Sequence, residues 1–147
     1  MTWLARQPVG IPVPEPTPLT APFWEGCALG ELHFQRCGDC AAPTFVPDLV
    51  CRACGGRDLR WERSSGRGRI ETWSVVWRPQ VPEFVVPYAP AVVELEEGFS
   101  LLTDIVDCDD ADLRFHQPVE VVFHEVGDGV WLPYFRPRPE EVPCTTP

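Results

Sequence analysis

Four cysteines carry the clearest chemistry in the chain. Cys37-Gly-Asp-Cys40 and Cys51-Arg-Ala-Cys54 stand ten residues apart. A Cys-x-x-Cys turn aims two sulfurs at one point, and two such turns on facing loops supply the four thiolates of a tetrahedral Zn(II) site. With sulfur in all four positions no ligand place remains for water or substrate, so the zinc is structural. Gly55 follows the second knuckle, where a left-handed backbone lets amides reach the sulfurs; Ala41 holds the equivalent place in the first, which should strain that turn. Iron in the same cage would make a rubredoxin-like electron carrier, and a degenerate metal-free site is the remaining reading. Paired spacing, with seven cysteines in all, argues against a disulfide framework. Cys27, Cys108 and Cys144 stand alone and read as small apolar residues or idle thiols.

Arginine offers the second chemistry. Arg52, Arg57, Arg60, Arg63, Arg67 and Arg69 crowd half of the 12 basic residues into eighteen positions, opposed there by Asp58 and Glu62 alone. Guanidinium groups suit phosphates and carboxylates by their planar fork, so this island fits either an anionic ligand or an acidic surface. The eight carboxylates between Glu94 and Asp112 could equally neutralise it within the fold. His33, His116 and His124 are the candidate proton-transfer groups, yet no nucleophile, base and orienting group recur at a usable spacing. Gly66-x-Gly68 lacks the spacing of a phosphate loop and marks a β-bulge at the start of a barrel. Trp73, Trp77, Phe84 and Tyr88 could stack single-stranded bases. A formal net charge of -10 opposes that, and barrel core plus an apolar docking patch fits them better.

The elements that position these groups are short and mostly β. Residues 1–19 form a Pro-rich arm, with five prolines between Pro8 and Pro18, expected to be extended and to gain order only against another surface. Residues 20–64 hold one brief helix, capped by Thr20 with Pro22 in its first turn, and then a zinc ribbon whose hairpins flank the cysteine pairs. Residues 65–137 carry five strand signals: Arg69 to Arg78, Ala91 to Glu96, Ser100 to Val106, Val119 to Val126 and Val130 to Phe135. Glu97-Gly98 and Gly127-Asp128-Gly129 are hairpin turns, and Asp107 to Arg114 gives one helical turn after the third strand. Five strands with that turn make an OB-fold barrel. Residues 138–147 form a second Pro-rich tail.

At 147 residues the chain holds one domain or two small ones. Its apolar runs stop short of the roughly 18 residues of a membrane span, and its first residues lack the pattern of a secretory signal, so the expected setting is cytoplasmic. With 18 prolines a mostly helical protein is excluded.

Taken together, Phe23-Trp24-Glu25-Gly26, Leu32 to Cys37, both knuckles, Ser65 to Trp73 and Pro133-Tyr134-Phe135-Arg136-Pro137 resemble the acyl-CoA-associated zinc-ribbon/OB-fold family, long catalogued as domain of unknown function number thirty-five. The resemblance covers about residues 20 to 138. It implies a non-catalytic accessory subunit of a thiolase-superfamily enzyme, of the lipid-transfer-protein or steroid side-chain aldolase type. Such a partner acts on acyl-CoA; a MaoC-like enoyl-CoA hydratase is the alternative partner, and a single-stranded nucleic-acid binder is the alternative function. It further implies that coenzyme A is held near the interface. Arg67 and Arg69 are then candidates for its phosphates, and Phe23, Trp24, Phe84 and Tyr88 for partner docking. Without a fused hydratase domain, this chain is expected to be a separate subunit.

Overall fold

Pro22 sits in the first turn of helix α1 (Ala21–Ala28), where a residue without an N–H removes no helical bond. The same proline alters the cap expected at Thr20. Pro22 offers no N–H and the Phe23 N–H is given to the Thr20 carbonyl, so the Thr20 hydroxyl finds no helix amide and pairs with the Thr17 hydroxyl at 3.1 Å. One face of α1 buries Phe23 and Cys27. Gly26 on that face leaves no room for a side chain, because a Cβ there would meet the Glu31 carbonyl at 2.8 Å. This close approach turns the chain directly into the ribbon.

The computed structural model describes residues 1–139. Most of the expected C-terminal tail, Cys144 included, lies outside the described residues. Strands β1 (Trp3–Leu4), β2 (His33–Cys37), β3 (Pro43–Thr44) and β4 (Leu59–Arg63) precede β5 (Arg67–Trp73), β6 (Ala89–Leu95) and β7 (Ser100–Ile105). Next come β8 (Cys108–Asp109), a 3₁₀ turn at Asp110–Asp112, β9 (Pro118–Gly127) and β10 (Val130–Pro137).

Two sheets do most of the building. β2 pairs antiparallel with β3 and β4 to make the ribbon. β5, β6, β7, β9 and β10 close a barrel in the order β10-β7-β6-β5-β9, with β10 parallel to β7 at Phe135 and Ile105. This is the five-stranded OB arrangement expected, with the single helical turn after its third strand. Alternation places Ile70, Val93, Ile105, Val119 and Phe135 inside, all at most 1% exposed. The ribbon adds Leu32 and Phe34 to the same core, where the Phe34 and Phe99 rings stack at 4.8 Å. Glu97, in the β6–β7 turn, fastens the junction: it accepts from the Ser64 hydroxyl at 2.8 Å and the Ser65 N–H at 2.6 Å.

Three further details differ from the sequence reading. The first barrel strand runs Arg67–Trp73 rather than to Arg78, because Ser74 to Arg78 leave the sheet after a last contact of Val76 with Tyr88. Its register shift falls between Ile70 and Thr72, not at Gly66-x-Gly68. Those glycines serve close approach instead: a Cβ on Gly66 would strike Val121, and one on Gly68 the Glu94 carbonyl.

The N-terminal arm is the third difference. β1 pairs antiparallel with β8, Leu4 is fully buried, and Arg6 meets Asp107 at 2.7 Å. The buried Gln7 amide exchanges two hydrogen bonds with the backbone of Val85, at 2.9 and 3.0 Å, and Gly10 N–H donates to the Val126 carbonyl. The arm thus finds its ordering surface on its own barrel. Among the described residues no helix is long and apolar enough to cross a membrane.

Candidate functional site

The Cys37, Cys40, Cys51 and Cys54 sulfurs lie within 4.8 Å of one another. Cys37 and Cys54 sulfurs are 3.6 Å apart, and those of Cys40 and Cys51 3.7 Å. Zinc–thiolate bonds of about 2.3 Å give a tetrahedron with edges of about 3.8 Å, so the cage has the size and donor set for Zn(II). The backbone prepares it. The Ala41 N–H donates to Cys37 O at 2.9 Å and the Gly55 N–H to Cys51 O at 2.8 Å, closing each knuckle. Amides of Cys54 and Ala53 pull the Cys51 thiol down to about 7, favouring thiolate. Cys54 is drawn down by the Gly56 amide but pushed up, to about 12, by the neighbouring Cys40 and Cys37 sulfurs. Four thiolates this close need a cation, and the fit is that of a structural site.

Both knuckles demand a left-handed residue, with φ of 63° at Ala41 and 76° at Gly55. A side chain at φ of this sign costs roughly 1 kcal/mol. Ala41→Gly should therefore stabilise the zinc-loaded ribbon by about 1 kcal/mol, less the entropy a new glycine adds to the unfolded chain. Thermal unfolding of the two proteins, both fully zinc-loaded, measures it.

The arginine island is largely answered within the chain. Arg52 meets Asp48, Arg60 meets Asp58 and Arg63 meets Glu31, at 2.7 to 3.4 Å, and Arg36, outside the island, meets Glu62 at 2.8 Å. Arg67 faces Glu96 at 3.4 Å, and Arg69 donates to the His116 carbonyl at 2.7 Å. Exposed pairs of this kind contribute little stability, and their effect is to flatten the field. The histidines do not converge. His33 bonds Glu31 at 2.8 Å, His116 sits in a left-handed turn, and His124 lies beside the Tyr134 ring.

The aromatic candidates separate into different places. Phe23 is 6% exposed and packs into the core, yet it still lines an apolar groove beside α1 together with Trp24. Trp73 packs on Phe115 while Phe84 pairs with Tyr88, so these aromatics fall into two separate ring pairs. Phe84 and Tyr88 are half-buried, and the arm residues Gln7, Ile11, Pro12 and Pro14 line the hollow beside them.

A larger apolar groove, of about 410 Å³, opens where α1, the loop after β3 and the barrel meet. Phe23, Trp24, Phe45, Pro47, Leu102 and Leu132 form its walls, and Val46 and Leu102 stand 57% and 74% exposed among the residues that line it. Four polar side chains interrupt this lining: Thr20, Thr103, Asp104 and Tyr134. Asp104 and Tyr134 border both the groove and the hollow under the arm. Burial pushes the Asp104 carboxyl up to about 6. Tyr134 is 3% exposed and its hydroxyl has no hydrogen-bond partner among the described residues. Burial and then the Asp104 charge raise its phenol to about 12, against weaker pulls from Arg6 and from the backbone N–H of Gln7, which lies beside the hydroxyl without good hydrogen-bond geometry. A buried hydroxyl left unpaired costs about 1–3 kcal/mol. Isolated Asp104 and Tyr134 carried no spacing signal; only the fold brings them together.

Two family models match consecutive parts of the chain. The zinc-ribbon model, "ChsH2, rubredoxin-like zinc ribbon domain", covers residues 24–60, and "ChsH2, C-terminal OB-fold domain" covers residues 61–124. A DUF35 domain-containing scaffold protein of Methanothermobacter thermautotrophicus is 36% identical over 113 residues, 72% of this chain and 84% of that protein. A probable enoyl-CoA hydratase alpha subunit of Thermomonospora curvata is 33% identical over 121 residues, 81% of this chain but 38% of that longer protein. Among solved structures, a chain described as Ltp2-ChsH2(DUF35) aldolase superposes with a TM-score of 0.78 at 30% identity, over 85% of this chain and 98% of that one. A four-cysteine ribbon running into an OB barrel, matched by the two family models from residue 24 to 124 and along 84% of the Methanothermobacter scaffold protein, means that this chain belongs to the DUF35 family of ChsH2-type zinc-ribbon/OB-fold proteins.

Proposed function

We propose that the chain is a non-catalytic scaffold subunit that docks on a thiolase-superfamily aldolase or acyltransferase acting on acyl-CoA, with lipid or steroid side-chain substrates. The observation that carries this reading is the near-complete overlay on a chain of the solved aldolase. The closed cysteine cage and the dispersed histidines support it, since neither offers an open position for chemistry. Coenzyme A belongs with the partner. Arg67 and Arg69 reach its phosphates only by exchanging their present contacts with Glu96 and the His116 carbonyl. A second reading, an accessory subunit of a MaoC-like hydratase, is favoured by the relative named as a hydratase alpha subunit.

Tagged purification from the native host, with assay of the stoichiometric partner, tests both readings. Carbon–carbon bond cleavage of an acyl-CoA supports the first, and hydration of an enoyl-CoA the second. With Arg67 and Arg69 both changed to Glu, lost turnover in an intact complex supports phosphate contact. Thioester turnover by this chain alone would sink the scaffold reading.

A further inference from the structure

The groove between α1, the loop after β3 and the barrel has the shape of a receptor, not of a core defect. Its walls are aromatic and aliphatic, and exposed Val46 and Leu102 are among its lining residues. An apolar groove alone says nothing of its occupant; here the polar groups do. The Asp104 carboxylate has no hydrogen bond or ion pair among the described residues, and the nearby Tyr134 hydroxyl, buried, has none either. The one basic residue of the arm, Arg6, is held by Asp107 at 2.7 Å. Most other arginines of this acidic chain are committed in the same way, and among the described residues none is paired with Asp104.

An acceptor pair in an apolar channel fits one kind of group: a cation on an apolar stem, which donates N–H to the carboxylate and to the phenol oxygen while its methylenes lie along the walls. We propose that the groove receives a segment of the partner subunit that lays apolar residues across Trp24, Phe45 and Leu102 and inserts one Lys or Arg side chain against Asp104 and Tyr134. This rests on the scaffold reading and names the contact through which it is made. Charge complementarity chooses the partner: a chain of net charge -10 with a half-buried, unpaired carboxylate selects a basic anchor and disfavours a second copy of itself.

The test uses the complex purified from the native host. A photo-crosslinking residue placed at Leu102 should capture a partner peptide containing a Lys or Arg within a few residues of apolar side chains. Asp104→Asn and Tyr134→Phe keep the shape of the groove; they should weaken the complex at least tenfold and about threefold, with zinc content unchanged in both. Crosslinks to a peptide without a basic residue, to a second copy of this chain, or a bound amphiphile seen by native mass spectrometry would overturn the proposal. So would undiminished affinity of the Asp104→Asn protein for its enzyme. In those cases the scaffold reading survives, whereas finding no stoichiometric partner at all defeats both.

Discussion

Cys51→Ser should strip the protein of its zinc and unfold the ribbon while the barrel stays closed. Zinc in small ribbons contributes of the order of 10 kcal/mol to folding, because the unfolded chain holds no preformed site. Here the stretch from Cys37 to Leu59 has little else: Phe45 packs on Phe23 and Phe99, but Val46 and Leu49 point largely to solvent. The barrel keeps Ile70, Val93, Ile105, Val119 and Phe135, and strand pairing on every side. It does lose support from Phe34 and Leu32, so its own transition should fall by several degrees rather than vanish. Elemental analysis should drop from about one zinc per chain to none. Amides at 38–42 and 51–56 should exchange freely with deuterium while β6 and β9 remain protected, and a strong chelator should reproduce this on the unaltered protein. Retained protection around the cage in metal-free protein would refute the structural role.

The cage was legible because its signal is local. Two Cys-x-x-Cys pairs carry their geometry within four residues each, and the left-handed positions at Ala41 and Gly55 could be read from their place directly after each knuckle. The barrel strands were legible because one face of each is buried, so period-two alternation survives in sequence. The arm was not. Leu4 lies in Trp3-Leu4-Ala5, a run too short to show a period, Ile11 stands beside the prolines, and the β8 edge that pairs with β1 is a two-residue strand with no pattern of its own. Phe23 shows a different limit: its place in a short helix does not reveal that its ring packs on Phe45 at 5.4 Å while still lining the groove. Asp104 reads in sequence as one more polar residue near the end of a strand. Its isolation from the arginines is a property of the folded chain alone.

That isolation has a measurable consequence for the free subunit. An aspartate ordinarily titrates near 3.8, and burial raises Asp104 to about 6. Between these values the folded chain holds a proton that the unfolded chain has released, so stability falls as pH rises; above about 6 both states are ionised and the slope disappears. The full span corresponds to about 3 kcal/mol, absent below about pH 4 and complete by about pH 7. Tyr134 on β10 stays neutral throughout, and Arg6 in the arm remains paired with Asp107, so neither replaces the lost proton. Carboxylates held low by their partners, Asp48 by the Leu49 amide and Asp58 by Arg60, give slopes of opposite sign only at lower pH. Asp104→Asn should therefore leave stability at about pH 4 nearly unchanged and raise it by about 3 kcal/mol at about pH 7, measured by denaturant unfolding of the zinc-loaded chain. Equal stabilities at neutral pH would show that water already solvates the carboxylate. If the groove takes a basic side chain, the same carboxylate that destabilises the free subunit becomes a paired one in the complex. The advantage of asparagine at neutral pH should then reverse once the partner is bound, and an acid that weakens a scaffold on its own becomes the feature that makes it prefer its enzyme.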